Sequence, residues 1–276
     1  MNLTSQYIQQ SRALLDTIEA QTQAIQQAAA WFSQTILAGR MVHLFGSGHS
    51  RIMVEEMWPR YGSFPGFNPI VELSLSFHNL VVGANGQRQA MFLENVPGLA
   101  QRILRNYDLS NLDSALIISS SGCNVVPIEM AELFQQQGVK VVALLSKQHA
   151  DKSTSKRPDG KKLSDFADLI LDTGAPVGDA MITVPGLDTP VAPGSTVGGA
   201  VVVNCIKAEL ARLLTQAGQP PKVLSAANIV GSEKAVLLFE SAYDEHAHRL
   251  AKLYQNVGVP SYVSEQADTL IPQQLS

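Results

Sequence analysis

Two cysteines among 276 residues, Cys123 and Cys205, are too few for a disulfide framework. Charge is scarce as well: 20 basic and 24 acidic residues leave a net charge of −4 and no basic block, which argues against nucleic acid as a partner. No apolar run reaches the ~18 residues that span a bilayer, so no membrane partner is expected. The opening residues, MNLTSQYIQQSRALL, show neither a basic n-region nor an apolar h-region. No signal peptide is therefore expected, and the cytoplasm is the default location. His246 and His248 stand two apart on an expected helix and face different sides, so no metal site is expected there, and no cofactor is expected. An anionic ligand would have to be attracted locally, by loops and helix ends, because the whole-protein field does not favour it.

What the chain does have is a core. Hydrophobic residues make up 45% of it, enough for one large α/β domain with an elaboration. The most informative stretch is Ala115–Ser146. Leu116, Ile117 and Ile118 are an uncharged apolar run suited to a strand buried on both faces. Ser119-Ser120-Ser121-Gly122 follows, and then a helical pattern with Val126, Met130, Leu133 and Phe134 on one face. Gly138 is placed to close that helix, and Val139–Leu145 reads as the next strand. A polar, glycine-containing loop at a strand's carboxyl end is where open α/β sheets bind ligands. It also opens a helix, whose free N–H groups and dipole favour an anion. A small metabolite's phosphate is the expected occupant.

The same device occurs earlier. Met41–Phe45 is a strand candidate, Gly46-Ser47-Gly48-His49-Ser50 a loop, and Arg51–Tyr61 a helix carrying Glu55 and Glu56. The loop is not a dinucleotide fingerprint, because Arg51 occupies the third glycine position; nor is it a P-loop, because no Lys-Ser/Thr pair follows. Before it, residues 2–38 read as one long or two short helices. After it, Pro69–Leu73 is a third strand candidate, residues 74–95 mix loop and apolar signals, and Val96–Tyr107 reads as helix. Beyond Ser146, five basic residues among turn formers give a charged surface loop, or in a sharper reading a lid. Leu169–Leu171 is a fifth strand candidate and Met181–Val184 a further one. Ser195-Thr196 is placed to cap a long apolar helix over Val197–Leu214. Ser225–Gly231 is a loop candidate, Ser232 opens a last helix, and the residues from Val257 read as an irregular wrap.

Four of these features together resemble the SIS, or sugar isomerase, domain family, and within it phosphoheptose isomerase-like proteins. They are Gly46–Ser50 after the first strand, the run Glu55-Glu56-Met57-Trp58-Pro59-Arg60-Tyr61, the loop Ile118–Asn124, and Ser195-Thr196 at the start of the final long helix. The resemblance covers residues 1–217. It implies a flavodoxin-like three-layer α/β/α fold with a five-stranded parallel sheet: an N-terminal helical segment (1–39), the SIS domain (40–217), and a C-terminal extension (218–276) packing on the domain or on a partner subunit. It further implies a homodimer or homotetramer and a phosphorylated sugar as ligand. Carried across, Ser119, Ser120, Ser121, Gly122 and Asn124 would hold phosphate. Ser47, Gly48, Ser50, Ser195 and Thr196 would hold the sugar, and Glu56 would be the catalytic base.

The chain departs from the family at two points: Asn124 replaces a hydroxyl residue, and Val197–Leu214 contains no histidine. Aldose–ketose isomerisation needs a poised base and a group that polarises or protonates the oxygens. Glu56 fits the first role if partial burial raises its pKa. The second must come from elsewhere, and His49 and His78 are the candidates. Cys123, at a helix start, reads either as a low-pKa thiol or as filler in a variable slot, the latter favoured. Three functions remain open: a sugar-phosphate isomerase, a lyase or etherase on an amino-sugar phosphate, and a non-catalytic sugar-phosphate-binding protein.

Overall fold

The computed structural model describes residues 2–76 and 86–257. The N-terminal segment folds as two helices, α1 (Leu3–Glu19) and α2 (Thr22–Leu37), broken at Ala20-Gln21. β1 (Val42–Gly46) leads through a 3-10 turn at Gly48–Ser50 into α3 (Arg51–Met57). β2 (Phe67–Ile70), α4 (Leu73–Ser76), α5 (Gln87–Leu93) and α6 (Leu99–Leu104) precede β3 (Ser114–Ile118). Then come α7 (Val125–Gln136), β4 (Lys140–Leu145), α8 (Lys147–Lys152) and β5 (Leu169–Asp172). The long α9 (Ser195–Gln216), the short α10 (Ala227–Val230) and α11 (Ser232–Leu253) complete it. The sheet is five-stranded and wholly parallel, in the order β2-β1-β3-β4-β5.

Alternation along the strands builds the three layers. Val42, Leu44, Leu116, Ile118, Val142 and Leu144 face a core shared with α2, α3 and α9. Phe45, Ala115, Ile117, Val141 and Ala143 face a second core shared with α6 and α7. Because both faces are buried, the strands are continuous apolar runs, which is why they were legible. α9 comes unusually close to the sheet: a Cβ on Gly198 would stand 2.0 Å from Thr173 O, and one on Gly199 2.9 Å from Met53. Only glycine allows that approach.

Several boundaries differ from the sequence expectation. α3 stops at Met57, not Tyr61, because Pro59 holds Trp58 in an extended conformation (ψ 149). β2 begins two residues early and gives way to a helix at Leu73; Pro69 is tolerated because β2 is an edge strand. Pro97 and a left-handed Gly98 (φ 79) confine the next helix to Leu99–Leu104. Met181–Val184 adds no strand to the sheet; Ile182 makes only an isolated bridge to Val191. Gly194 is the N-cap of α9, so Ser195 and Thr196 lie inside its first turn. His78 and the residues from 258 onward lie outside the described residues.

The amino ends of the strands are tied by a buried polar network. Arg40 Nε and Nη2 donate to the two Asp113 carboxylate oxygens, each at 2.7 Å. His43 Nε2 lies 3.4 Å from Asp113 Oδ2, and His43 Nδ1 is 3.0 Å from Asn68 Nδ2. Burial acts to raise the Asp113 pKa, but His43, Arg40 and the Ser110 N–H outweigh it and hold it low. From outside, α11 straps this end: Arg249 Nη1 donates to Ile36 O and Arg40 O, and Asp108 N donates to Leu253 O. Asp113→Ala would leave Arg40 and His43 uncompensated in a buried place, at a cost of about 3–5 kcal/mol. At roughly 2 °C or more per kcal/mol, thermal denaturation should show a midpoint lowered by at least about 6 °C. A fall of under about 2 °C would mean that the network is dispensable.

Candidate functional site

In this strand order the direction of winding reverses between β1 and β3, which is where doubly wound sheets leave a crevice. The register pairs Gly46 with Ile118, so the two serine-glycine loops leave the sheet side by side. Each is shaped by a glycine that must be one. A Cβ on Gly46 would meet Ser50 O at 2.7 Å, and Gly122 has φ 62. The second loop is held from below: Ser119 N donates to Leu144 O, and Ser146 N donates to Ser120 O. Ser120 Oγ is buried and has no hydrogen-bond partner among the described residues. A buried hydroxyl is normally satisfied, so an orphan at a loop tip points to a ligand.

The loops open on a cavity of about 250 Å³. Ser47, Gly48, His49 and Ser50 line it from one loop, Ser119, Ser120, Ser121 and Asn124 from the other, and Ser195 and Thr196 from the first turn of α9. Gly122 is not at its surface; its carbonyl instead accepts from Leu163 N.

Glu56 stands outside this cavity, on the side of α3 that meets α9. Arg60 Nη1 donates to its Oε2 at 2.7 Å and Asn204 Nδ2 to its Oε1 at 3.1 Å. Lys207 Nζ lies 3.5 Å from Oε1. Burial pushes its pKa up, but these hydrogen bonds and charges outweigh it and the net direction is down. The expectation of a raised Glu56 pKa is therefore corrected: two donors, Arg60 and Asn204, and the charge of Lys207 favour the carboxylate. Cys123 is buried, which pushes its thiol pKa up. That burial works against activation of the thiol.

Three titratable cavity residues escaped the sequence reading. Glu94 caps the end of α5, is buried, and accepts from Ser47 Oγ at 2.6 Å. Burial pushes its pKa up, against the opposing effects of Ser47, Lys156 and Asn124. It comes from the stretch whose loop and apolar signals conflicted, and a lone glutamate there gave no periodic cue. His149 lies on α8, inside the stretch read as a charged loop. Its Nδ1 accepts from Gly178 N at 3.2 Å, so in the neutral ring Nε2 carries the proton. Asp179 has φ 53 and accepts from Gly194 N, Ser195 N and Ser195 Oγ, fixing the start of α9. Its role depends on a contact with α9 that no local pattern encodes.

A family model for the SIS domain matches residues 6–146, about half the chain. The chain belongs to the SIS-domain family. A UPF0309 protein of Halalkalibacterium halodurans is 34% identical over 223 residues, covering 81% of this chain and 90% of its own. One of Listeria innocua is 30% identical over 234 residues, covering 85% of this chain and 92% of its own. Among solved structures, a phosphoheptose isomerase from Francisella tularensis covers 75% of this chain and 95% of its own, at 16% identity and a TM-score of 0.48. One from Neisseria gonorrhoeae gives the same coverage and TM-score at 15% identity. No helix among the described residues is long and apolar enough to cross a membrane.

The Glu94 environment has a consequence for stability. A carboxyl whose folded pKa is raised contributes most below its unfolded value, about 4.3, and that contribution is lost as pH rises through the folded pKa. The ionised form is thus a burden on the fold near neutrality. Glu94→Gln should raise the thermal midpoint at pH 7 and leave it nearly unchanged at pH 4. A lower midpoint at pH 7 would show that the ionised group stabilises its surroundings.

Proposed function

We propose that the cavity binds a phosphorylated sugar and that Glu94 moves the proton in an aldose–ketose isomerisation. The observation that carries this reading is a single one: a buried carboxyl with a raised pKa shares a small cavity with a serine loop whose Ser120 hydroxyl lacks a partner among the described residues. The volume suits a small metabolite better than a dinucleotide. In this reading the phosphoryl group sits at Ser119, Ser120, Ser121 and Asn124, with Gly122 shaping the turn. The sugar carbons run toward Ser47–Ser50 and the first turn of α9.

The chemistry then follows from the groups present. Glu94, ionised, removes the proton from the carbon beside the carbonyl, and the electron pair moves to make an enediol. The protonated Glu94 returns the proton to the neighbouring carbon. The oxygens exchange a proton as the carbonyl moves, and His149 Nε2–H is the donor we assign to that step, with His49 beside it in the same cavity. This supplies from α8 the imidazole that α9 lacks. Glu56, carried over from the family resemblance as the base, is held in its ionised form outside the cavity, and we assign the proton transfer to Glu94 instead. An elimination would share the first step and diverge by expelling a leaving group. A sensor would share the binding alone.

Turnover of a panel of phosphorylated sugars in deuterated water separates these outcomes. Isomerisation places solvent deuterium at C1 or C2 of the product without loss of a substituent. Glu94→Gln should keep the ligand-induced thermal shift while turnover falls by about 10²–10⁴-fold. Binding without any wild-type turnover would leave a sensor, and no thermal shift with any phosphorylated sugar would end the reading. The acid limb of the kcat/KM profile should lie above the usual carboxylate range, because the base must be ionised. The Ser47 hydrogen bond holds the Glu94 pKa down, so Ser47→Ala should move that limb to higher pH. A limb that stays in place would mean that another group is the base.

A further inference from the structure

The cavity poses an electrostatic problem for the ligand assigned to it. A phosphomonoester carries close to two negative charges, yet no lysine or arginine lines the cavity among the described residues, whereas Glu94 and Asp179 do. The α7 helix end offers less than its dipole suggests. Val125 N already donates to Asn95 Oδ1 and Val126 N to Glu94 O. The whole chain, at −4, gives no help.

The segment between α8 and β5 holds the nearby cations, and most are committed. Lys162 Nζ donates to Ala150 O, Arg157 is paired with Glu132 and Asp159, and Lys161 lies over the Phe166 ring. Lys156 is different. Its backbone N–H donates to Cys123 O at 2.9 Å, which pins it to the serine loop itself, and Leu163 N pins the other side of the segment to Gly122 O. Its side chain is exposed and makes no hydrogen bond or ion pair with a described residue. Its charge nevertheless lowers the pKa of Glu94, and, less than that of Lys162, the pKa of Cys123 in the loop.

We propose that Lys156 is the counter-charge for the phosphoryl group: the segment clipped over the serine loop delivers its ammonium to a phosphate held at Ser119–Asn124. The proposal rests on the sugar-phosphate reading above. It assigns to the basic stretch a defined task, which is neither that of a plain surface loop nor that of a lid. The flexible four-carbon stem lets the ammonium follow the phosphate, while the backbone hydrogen bond fixes where the stem begins. The charge that draws the ligand in also lowers the Glu94 pKa, keeping more of the base ionised near neutral pH.

Calorimetric titration of the full-length protein with inorganic phosphate, over a salt series, tests this. One charge-assisted hydrogen bond on a partly exposed ammonium corresponds to about tenfold in affinity. Lys156→Gln should weaken phosphate binding about tenfold and flatten its dependence on ionic strength, and Lys156→Arg should restore most of both. All three proteins should melt alike, because the substitution keeps the backbone contact to Cys123. Ser120→Ala should weaken phosphate binding in every background. If Lys156→Gln binds phosphate as the wild type does, with the same salt dependence, the Lys156 assignment fails alone. A loss that Lys156→Arg does not recover also overturns it. If the wild type binds no phosphate, the sugar-phosphate reading falls, and this assignment with it.

Discussion

The Asp113 carboxylate is the contact on which the geometry of the sheet depends. It immediately precedes β3, binds Arg40 just before β1, and touches His43 within β1, which in turn meets Asn68 of β2. One buried charge thus sets three strands in register at their amino ends. Ser114 and Thr35, side by side at 2.7 Å, extend the same tie to α2. The strands are short, so an error at that end would propagate directly to the loops at the other. Because Val42 pairs with Ser114, Gly46 pairs with Ile118, and two loops distant in sequence open together. A slip of one residue would turn every side chain of a strand to the opposite core.

At the carboxyl ends the priorities reverse. There the residues are less comfortably placed: a serine hydroxyl without a partner among the described residues, a buried carboxyl with a raised pKa, an aspartate at positive φ. Each costs stability, and each is held by surroundings that over-determine it. Asp179 is stabilised by three donors from the start of α9, and α9 is itself drawn in by the glycine contact with Thr173. The rigid end of the sheet and the strained end are therefore parts of one arrangement.

Glu56 and Glu94 illustrate how alike two carboxylates are in a sequence and how unlike in a fold. Glu56 sits in a run that resembles a known family, yet its oxygens are taken by Arg60 and Asn204 with Lys207 close by. Glu94 has no such motif, yet burial raises its pKa despite the Ser47 hydroxyl that donates to it. The difference is made by what packs around each one, and that includes residues from distant elements: Ser47 for Glu94, and Asn204 and Lys207 of α9 for Glu56.

Local pattern was enough for the parallel sheet and its two serine loops. Buried parallel strands must be apolar throughout, glycine is the residue that most readily takes a left-handed backbone, and a polar loop between strand and helix has few other uses. Those constraints act within a few residues, so the strands, α7 and both loops were legible, with boundary errors in α3, β2 and α6 beside Pro59, Pro69 and Pro97. The sequence also carried the family resemblance that the SIS-domain match bears out. Glu94, His149 and Asp179 were not legible, because nothing within a helical turn of any of them marks it. They became cavity residues only when β1 and β3 paired and when α5, α8 and the start of α9 closed over the gap. Burial, orphaned hydrogen bonds and shifted pKa values are properties of that enclosure, and enclosure belongs to the tertiary structure alone.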